Sequence, residues 1–171
     1  LYSASDISVL DPGEVQTHPF LSKIGPDLLE PSLSKKELLE RIRSDRFVNR
    51  SLGSLYLDQA FVAGVGNYLR SEILHFARVH PKQKPSSLTA AEQRKLAATT
   101  IDVGIRAYEQ KGVTNPPRLV SRMKKQGLKR RQYRHAVFGR SGQPCHRCDT
   151  KVERIEVSSR RLYYCPACQG I

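Results

Sequence analysis

Four cysteines, arranged as Cys145-His-Arg-Cys148 and Cys165-Pro-Ala-Cys168 with sixteen residues between the pairs, constrain this chain more than any other feature. Each Cys-x-x-Cys pair folds back as a tight knuckle, and two knuckles at this separation present Cys145, Cys148, Cys165 and Cys168 to one tetrahedral Zn²⁺. They are also the whole cysteine complement. A single structural zinc therefore leaves no thiol for catalysis or for a disulfide framework, and it points to a reducing, intracellular compartment. Paired disulfides suit small secreted chains, whereas 171 residues need no such staples. A thioredoxin-like redox site wants one Cys-x-x-Cys after a strand in a βαβ pattern, and the sequence has no such pattern. His146, inside the first knuckle, is expected to face solvent, because four sulfurs already complete the coordination sphere.

Between the knuckles, Val152, Ile155 and Val157 are strand formers, and Ser158-Ser-Arg160-Arg161 reads as a turn before Leu162-Tyr-Tyr164. The pattern predicts a hairpin pinned by the metal at both ends, with Arg160 and Arg161 at its tip. A guanidinium is always charged and bonds bidentately, so two on a rigid projection suit a phosphate, although exposed turn arginines are also common without a ligand. Charge distribution favours the phosphate. The formal net charge is +13, and from Arg118 onward fourteen Lys and Arg face only three Asp and Glu. A concentrated basic surface beside a zinc knuckle is the electrostatic footprint of a nucleic-acid binder. No apolar run reaches membrane-spanning length and no basic amphipathic helix carries Trp or Phe, so no membrane partner is expected.

Leu1 to Ser5 alternates apolar and polar residues and reads as a strand whose sheet lies upstream; the proline-rich run from Asp11 to Pro31 reads as an irregular connector. Ser34-Lys-Lys-Glu37 and Thr89-Ala-Ala-Glu92 are capping boxes. The first opens a helix over about 35–44 with Leu38, Leu39 and Ile42 facing a core. The second opens a helix that ends near Lys111-Gly112 and carries Leu96, Ala97, Ile101, Ile105 and Tyr108 on one side. Helical spacing also covers Leu52 to Phe61, which runs into Val62-Ala-Gly64-Val-Gly66-Asn67. The two glycines allow a tight double turn, after which Asn67 caps a helix from Tyr68 to about Arg78. Such a turn leaves N–H groups at a helix N-terminus beside an amide side chain, the outline of an anion site, but Gly and Asn equally serve only to turn the chain. His75 and His80 have no partner cluster and read as structural. Arg118 to Arg134 is either a short helix and loop laid on nucleic acid or a solvated segment that orders on binding, and Tyr133 to Phe138 is a strand candidate.

Leu57-Asp-Gln-Ala-Phe61 through Val62-Ala-Gly-Val-Gly66-Asn67-Tyr-Leu-Arg-Ser-Glu72-Ile-Leu74 resembles the helix-two-turns-helix element of the formamidopyrimidine-DNA glycosylase and endonuclease VIII family. Tyr133 to Cys148 and Ser158 to Cys168 resemble that family's C-terminal zinc finger, and the opening residues with their Thr-His-Pro-Phe look closer to the endonuclease VIII branch. The fold this implies is mostly α with a small β zinc finger. Residues 1–20 would be the end of an upstream β-sandwich and connector, 21–132 the helix-two-turns-helix DNA-binding domain with its basic loop, and 133–171 the zinc-finger domain.

The resemblance implies a monomeric base-excision-repair enzyme, a DNA glycosylase and AP lyase acting on oxidised pyrimidines in duplex DNA. Asn67, with the N–H groups around Gly66, would hold phosphates flanking the damaged nucleotide. Arg160, beside Arg161, would grip the same backbone, and the family assigns it as proton donor in the final elimination. A guanidinium with a pKa above about 12 is a poor acid, so stabilising charge on the leaving phosphate is the better physical role. The family's nucleophile is an N-terminal proline amine, helped by a glutamate and a lysine in a β-sandwich. None is located in these residues, so the chain by itself is expected to bind DNA and zinc and to catalyse nothing. A zinc-containing RNA- or ribosome-binding module is the rival reading.

Overall fold

The computed structural model describes residues 7, 9–15 and 17–170. The strand expected at Leu1 to Ser5 lies outside them. Among the described residues, six α-helices precede one hairpin: α1 Lys35–Arg43, α2 Leu52–Leu55, α3 Asn67–Ala77, α4 Ala90–Glu109, α5 Pro117–Lys125, α6 Arg130–Tyr133, then β1 Glu153–Val157 and β2 Arg160–Tyr164. The mostly helical fold with a small β zinc finger is thus as expected. No described helix is long and apolar enough to cross a membrane.

Local chemistry sets the helix starts. The Ser34 side chain accepts from the Glu37 N–H, though Glu37 does not reciprocate; at α4 both halves of the box form between Thr89 and Glu92. Leu38 and Ile42 of α1, Leu52 and Leu55 of α2, Ile73 and Leu74 of α3, and Leu96 of α4 are fully buried in one core. At its centre the Tyr56 hydroxyl and Thr100 Oγ1 lie 2.7 Å apart, and the Phe61 ring packs edge-on against Phe47 and Tyr56.

Several expected boundaries move. The helix expected over Leu52 to Phe61 stops at Leu55: beyond it the N–H groups of Leu57, Asp58 and Phe61 close i→i−3 turns onto Ser54, Leu55 and Asp58, and Ala60 N donates to Asp58 Oδ1, while the Arg41 guanidinium takes the carbonyls of Ala60 and Phe61 at 2.7 and 2.9 Å. On α4, Ile105 and Tyr108 point outward, since the close approach of Leu28 to Gly104 turns Val103, Gly104 and Ala107 inward instead. The basic block is ordered as α5 and α6, anchored by buried Val120 and Met123.

Tyr133 to Phe138 forms no strand: the N–H groups of Ala136, Val137 and Phe138 turn onto the Glu72 carboxylate instead. The hairpin turn is only Ser158-Ser159, so Arg160 and Arg161 are the first residues of β2, with Val157 opposite Arg160. Leu162 and Tyr164 join the helical core, whereas Tyr163 packs with Val137, Val152, Cys145 and Cys165 in a second cluster. One face of β2 thus belongs to the helices and the other to the knuckles, as period-2 alternation dictates.

Candidate nucleic-acid interface

The four cysteine sulfurs lie within 4.8 Å of one another. Cys148 Sγ is 3.4 Å from those of Cys165 and Cys168, and Cys145 Sγ is 4.0 Å from Cys168 Sγ. A tetrahedron of Zn–S bonds has edges of about 3.8 Å, so the set fits the ion. Burial opposes ionisation of Cys145, but hydrogen bonds from the His75 ring and from the Arg147 and Cys148 main chain bring it down to about 6; burial and the neighbouring Cys148 push Cys168 up. A divalent cation removes that conflict by taking all four as thiolates. The cluster is a structural zinc site.

His146 does not face solvent: its ring is half-buried, its Nε2 has no partner, and burial followed by the Arg140 charge lowers it to about 4. Nor is His75 isolated. Its Nδ1 meets Gln169 Oε1 at 3.1 Å, the same oxygen accepts from Cys165 N, and Gln169 Nε2 donates to the Val79 carbonyl. Gln169 therefore bolts the second knuckle to the end of α3.

Two buried charges on α3 do the rest of the fastening. Glu72 Oε2 accepts from Thr114 Oγ1 and Ala136 N, and Oε1 from Val137 N and Phe138 N at 2.9 Å each. A carboxylate offers only acceptor sites, and here four donors fill them. Arg70, fully buried, works at the opposite end of the zinc finger. Its Nη1 donates to the Gly53 carbonyl at 2.7 Å, and its Nη2 to Asn67 Oδ1 at 2.8 Å, Arg160 O at 3.1 Å and Val157 O at 3.3 Å. Burial, then the charge of Arg160, lowers this guanidinium to about 10, which leaves it a cation at neutral pH.

Arg70 also decides what Asn67 can do. Gly66, not Asn67, is the N-cap residue of α3, and no side chain caps the first turn. Asn67 is the first helical residue. Because Arg70 takes its oxygen, its amide NH₂ is the group left to face outward, beside the uncapped N–H groups of the helix. Gln59 braces the preceding double turn, donating to Val65 O and accepting from Gly64 N, and Gly64 supplies a φ of 83°. The structure therefore brings Asn67, Gly66 and Arg160 to one place, with Arg161 next along β2. Every group they present is a donor or a cation, which is the chemistry of an anion site.

Sequence reasoning singled out Asn67 and Arg160 but missed Arg70, Glu72 and Gln169. Arg70 and Glu72 lie on a helix with almost no solvent face, Leu69 to His75 all being buried, which the structure shows and the sequence pattern did not; Gln169 lies far off in the second knuckle.

Comparison with known proteins agrees with this construction. Residues 24–116 match the formamidopyrimidine-DNA glycosylase H2TH domain, and residues 142–170 match the zinc finger found in FPG and IleRS. Endonuclease 8 of Shigella sonnei is 44% identical over 169 residues, covering 99% of this chain and 61% of that protein. The chain thus spans 61% of the length of this curated relative. MutM (Fpg) of Thermus thermophilus is 34% identical with a TM-score of 0.73, covering 92% of this chain and 58% of that one. The Fpg of Lactococcus lactis, solved with DNA containing an abasic site, shares the fold at 23% identity, with a TM-score of 0.72 over 95% of this chain and 57% of its own. With the H2TH match alone covering more than half of its residues, this chain belongs to the formamidopyrimidine-DNA glycosylase and endonuclease VIII family.

Proposed function

We propose that the chain is the DNA-gripping part of a base-excision-repair enzyme, a bifunctional DNA glycosylase and AP lyase acting on oxidised pyrimidines in double-stranded DNA. The observation that carries this reading is the Arg70 guanidinium, which bonds the Asn67 side chain and the Arg160 main chain at once. One buried side chain thereby sets the spacing between a neutral amide donor with helix N–H groups and an exposed guanidinium. Two such donor sets at fixed separation suit neighbouring phosphates of one strand. The excess of basic residues after Arg118 attracts the same backbone.

The substrate class rests on likeness. The curated relative is an endonuclease 8, and the Lactococcus lactis Fpg has been solved with DNA containing an oxidised pyrimidine. Within the complete reaction, Arg160 stabilises negative charge on the departing phosphate as a fixed cation rather than as an acid. The 171 residues bind DNA as a monomer.

Two substitutions test the grip by fluorescence anisotropy with a duplex carrying a tetrahydrofuran abasic-site analogue, titrated over a range of salt. Arg160→Ala should weaken binding about tenfold and flatten the salt slope by about 0.9, the share of one phosphate. Asn67→Asp exchanges the outward amide for a carboxylate that pairs with Arg70, so it should keep the urea midpoint of unfolding while weakening DNA binding. An unchanged slope for Arg160→Ala, or tighter binding of the wild-type chain to structured RNA, would refute the reading.

A further inference from the structure

Ser158 and Ser159 form the whole hairpin turn, and both lie in the left-handed region, with φ of 54° and 55°. A two-residue turn of this kind needs positive φ at both positions and is ordinarily made by Asn-Gly or Asp-Gly. Three other non-glycine residues with positive φ have local reasons among the described residues. Arg78 and Lys111 follow helix ends, where this conformation is the common cap, and Asp149 closes the first knuckle. The hairpin tip is where two consecutive side chains with a Cβ hold it, without a helix end to account for them.

Strained positions persist where the surroundings over-determine them, and they gather at ligand clamps. The surroundings here are explicit. Arg70 holds the carbonyls of Val157 and Arg160, the residues on either side of the turn, so the tip cannot relax without breaking a buried guanidinium network. Both serines are exposed, and the residues flanking them, Val157 and Arg160, are held by the same Arg70 guanidinium that bonds the Asn67 side chain.

We propose that Ser158 and Ser159 are themselves DNA-backbone contacts, their hydroxyls donating to phosphate oxygens of the strand held by Asn67 and Arg160. This rests on the function proposed above. It explains why serine stands where glycine would relieve strain: a hydroxyl on a rigid left-handed tip reaches outward as a neutral donor, which glycine cannot supply.

The test is Ser158→Gly with Ser159→Gly in the zinc-loaded chain, read by urea unfolding and by anisotropy with the same abasic-analogue duplex. Relief of strain should leave the unfolding midpoint at or above that of the wild type. Loss of the hydroxyls should weaken binding about tenfold with an unchanged salt slope, because neutral donors release no counterions. Three results overturn the proposal: affinity equal to wild type, a lower unfolding midpoint, or weaker binding with a flattened slope, which would mean that the turn only steadies Arg160. Failure of the wild-type chain to bind the duplex at all would strike the proposed function instead.

Discussion

Glu72→Gln is the sharpest test of how the helical part and the zinc finger are joined. The substitution keeps size and shape but turns one acceptor oxygen into a donor. The amide will place its nitrogen where Oε2 stood, because Thr114 Oγ1 can rotate to accept from it, whereas the Oε1 position faces two main-chain N–H groups that cannot. One buried donor, Ala136 N, is then orphaned, and the bonds from Val137 and Phe138 lose their charge assistance. An unsatisfied buried N–H costs about 1–3 kcal/mol, and weakening two charge-assisted bonds adds about 1 kcal/mol, so the loss should be about 3 kcal/mol. With a urea m-value of about 2 kcal/mol/M, the unfolding midpoint falls by about 1.5 M. Amide exchange should localise the damage, with Ala136 first to lose protection. A variant within about 0.5 kcal/mol of wild type would show that Glu72 is not a tether between the two parts.

Three further outcomes are expected. Removing zinc with a strong chelator should abolish duplex binding and disorder the knuckles while most of the helical circular dichroism survives, since the core is supplied mainly by α1 to α4 and their connections, with Leu162 and Tyr164 of the hairpin added to it; complete loss of helix signal would contradict that separation. Gly25→Ala should destabilise more than Gly104→Ala in thermal melts. The added methyl meets the Ala60 and Phe61 carbonyls at 2.6 and 2.9 Å in the first case, but the movable Leu28 side chain at 2.5 Å in the second; the reverse order would refute this. Finally, burial and then Lys82 hold the His80 ring, packed edge-on against Tyr164, below its ordinary value of 6.5. The unfolded chain therefore takes up the proton first, and stability present above pH 6.5 is lost as pH falls below it toward the folded value. His80→Phe should flatten that part of the urea-midpoint profile against pH, and an unaltered profile would remove His80 from the account.

The sequence by itself determined what short-range chemistry controls. Spacing alone placed four thiolates on one ion, Thr89 and Glu92 started α4, and Gly64 and Gly66 broke the chain before α3, because each effect acts within a few residues. Patterning also found most of the core, and failed on α4 where a neighbour, Leu28 against Gly104, chose the inward face. What only the tertiary structure decided is which polar side chains are buried and what they hold. Arg70 and Glu72 carry no local pattern that tells what they hold, and their partners lie 90 and 65 residues away, at Arg160 and Val137. No local propensity encodes a bond over that distance. It exists because folding removes both charges from water, and the desolvation is offset only where carbonyls and N–H groups from the distant zinc finger converge on them. The metal motif was therefore legible residue by residue, whereas the alignment of the hairpin with Asn67 came from packing.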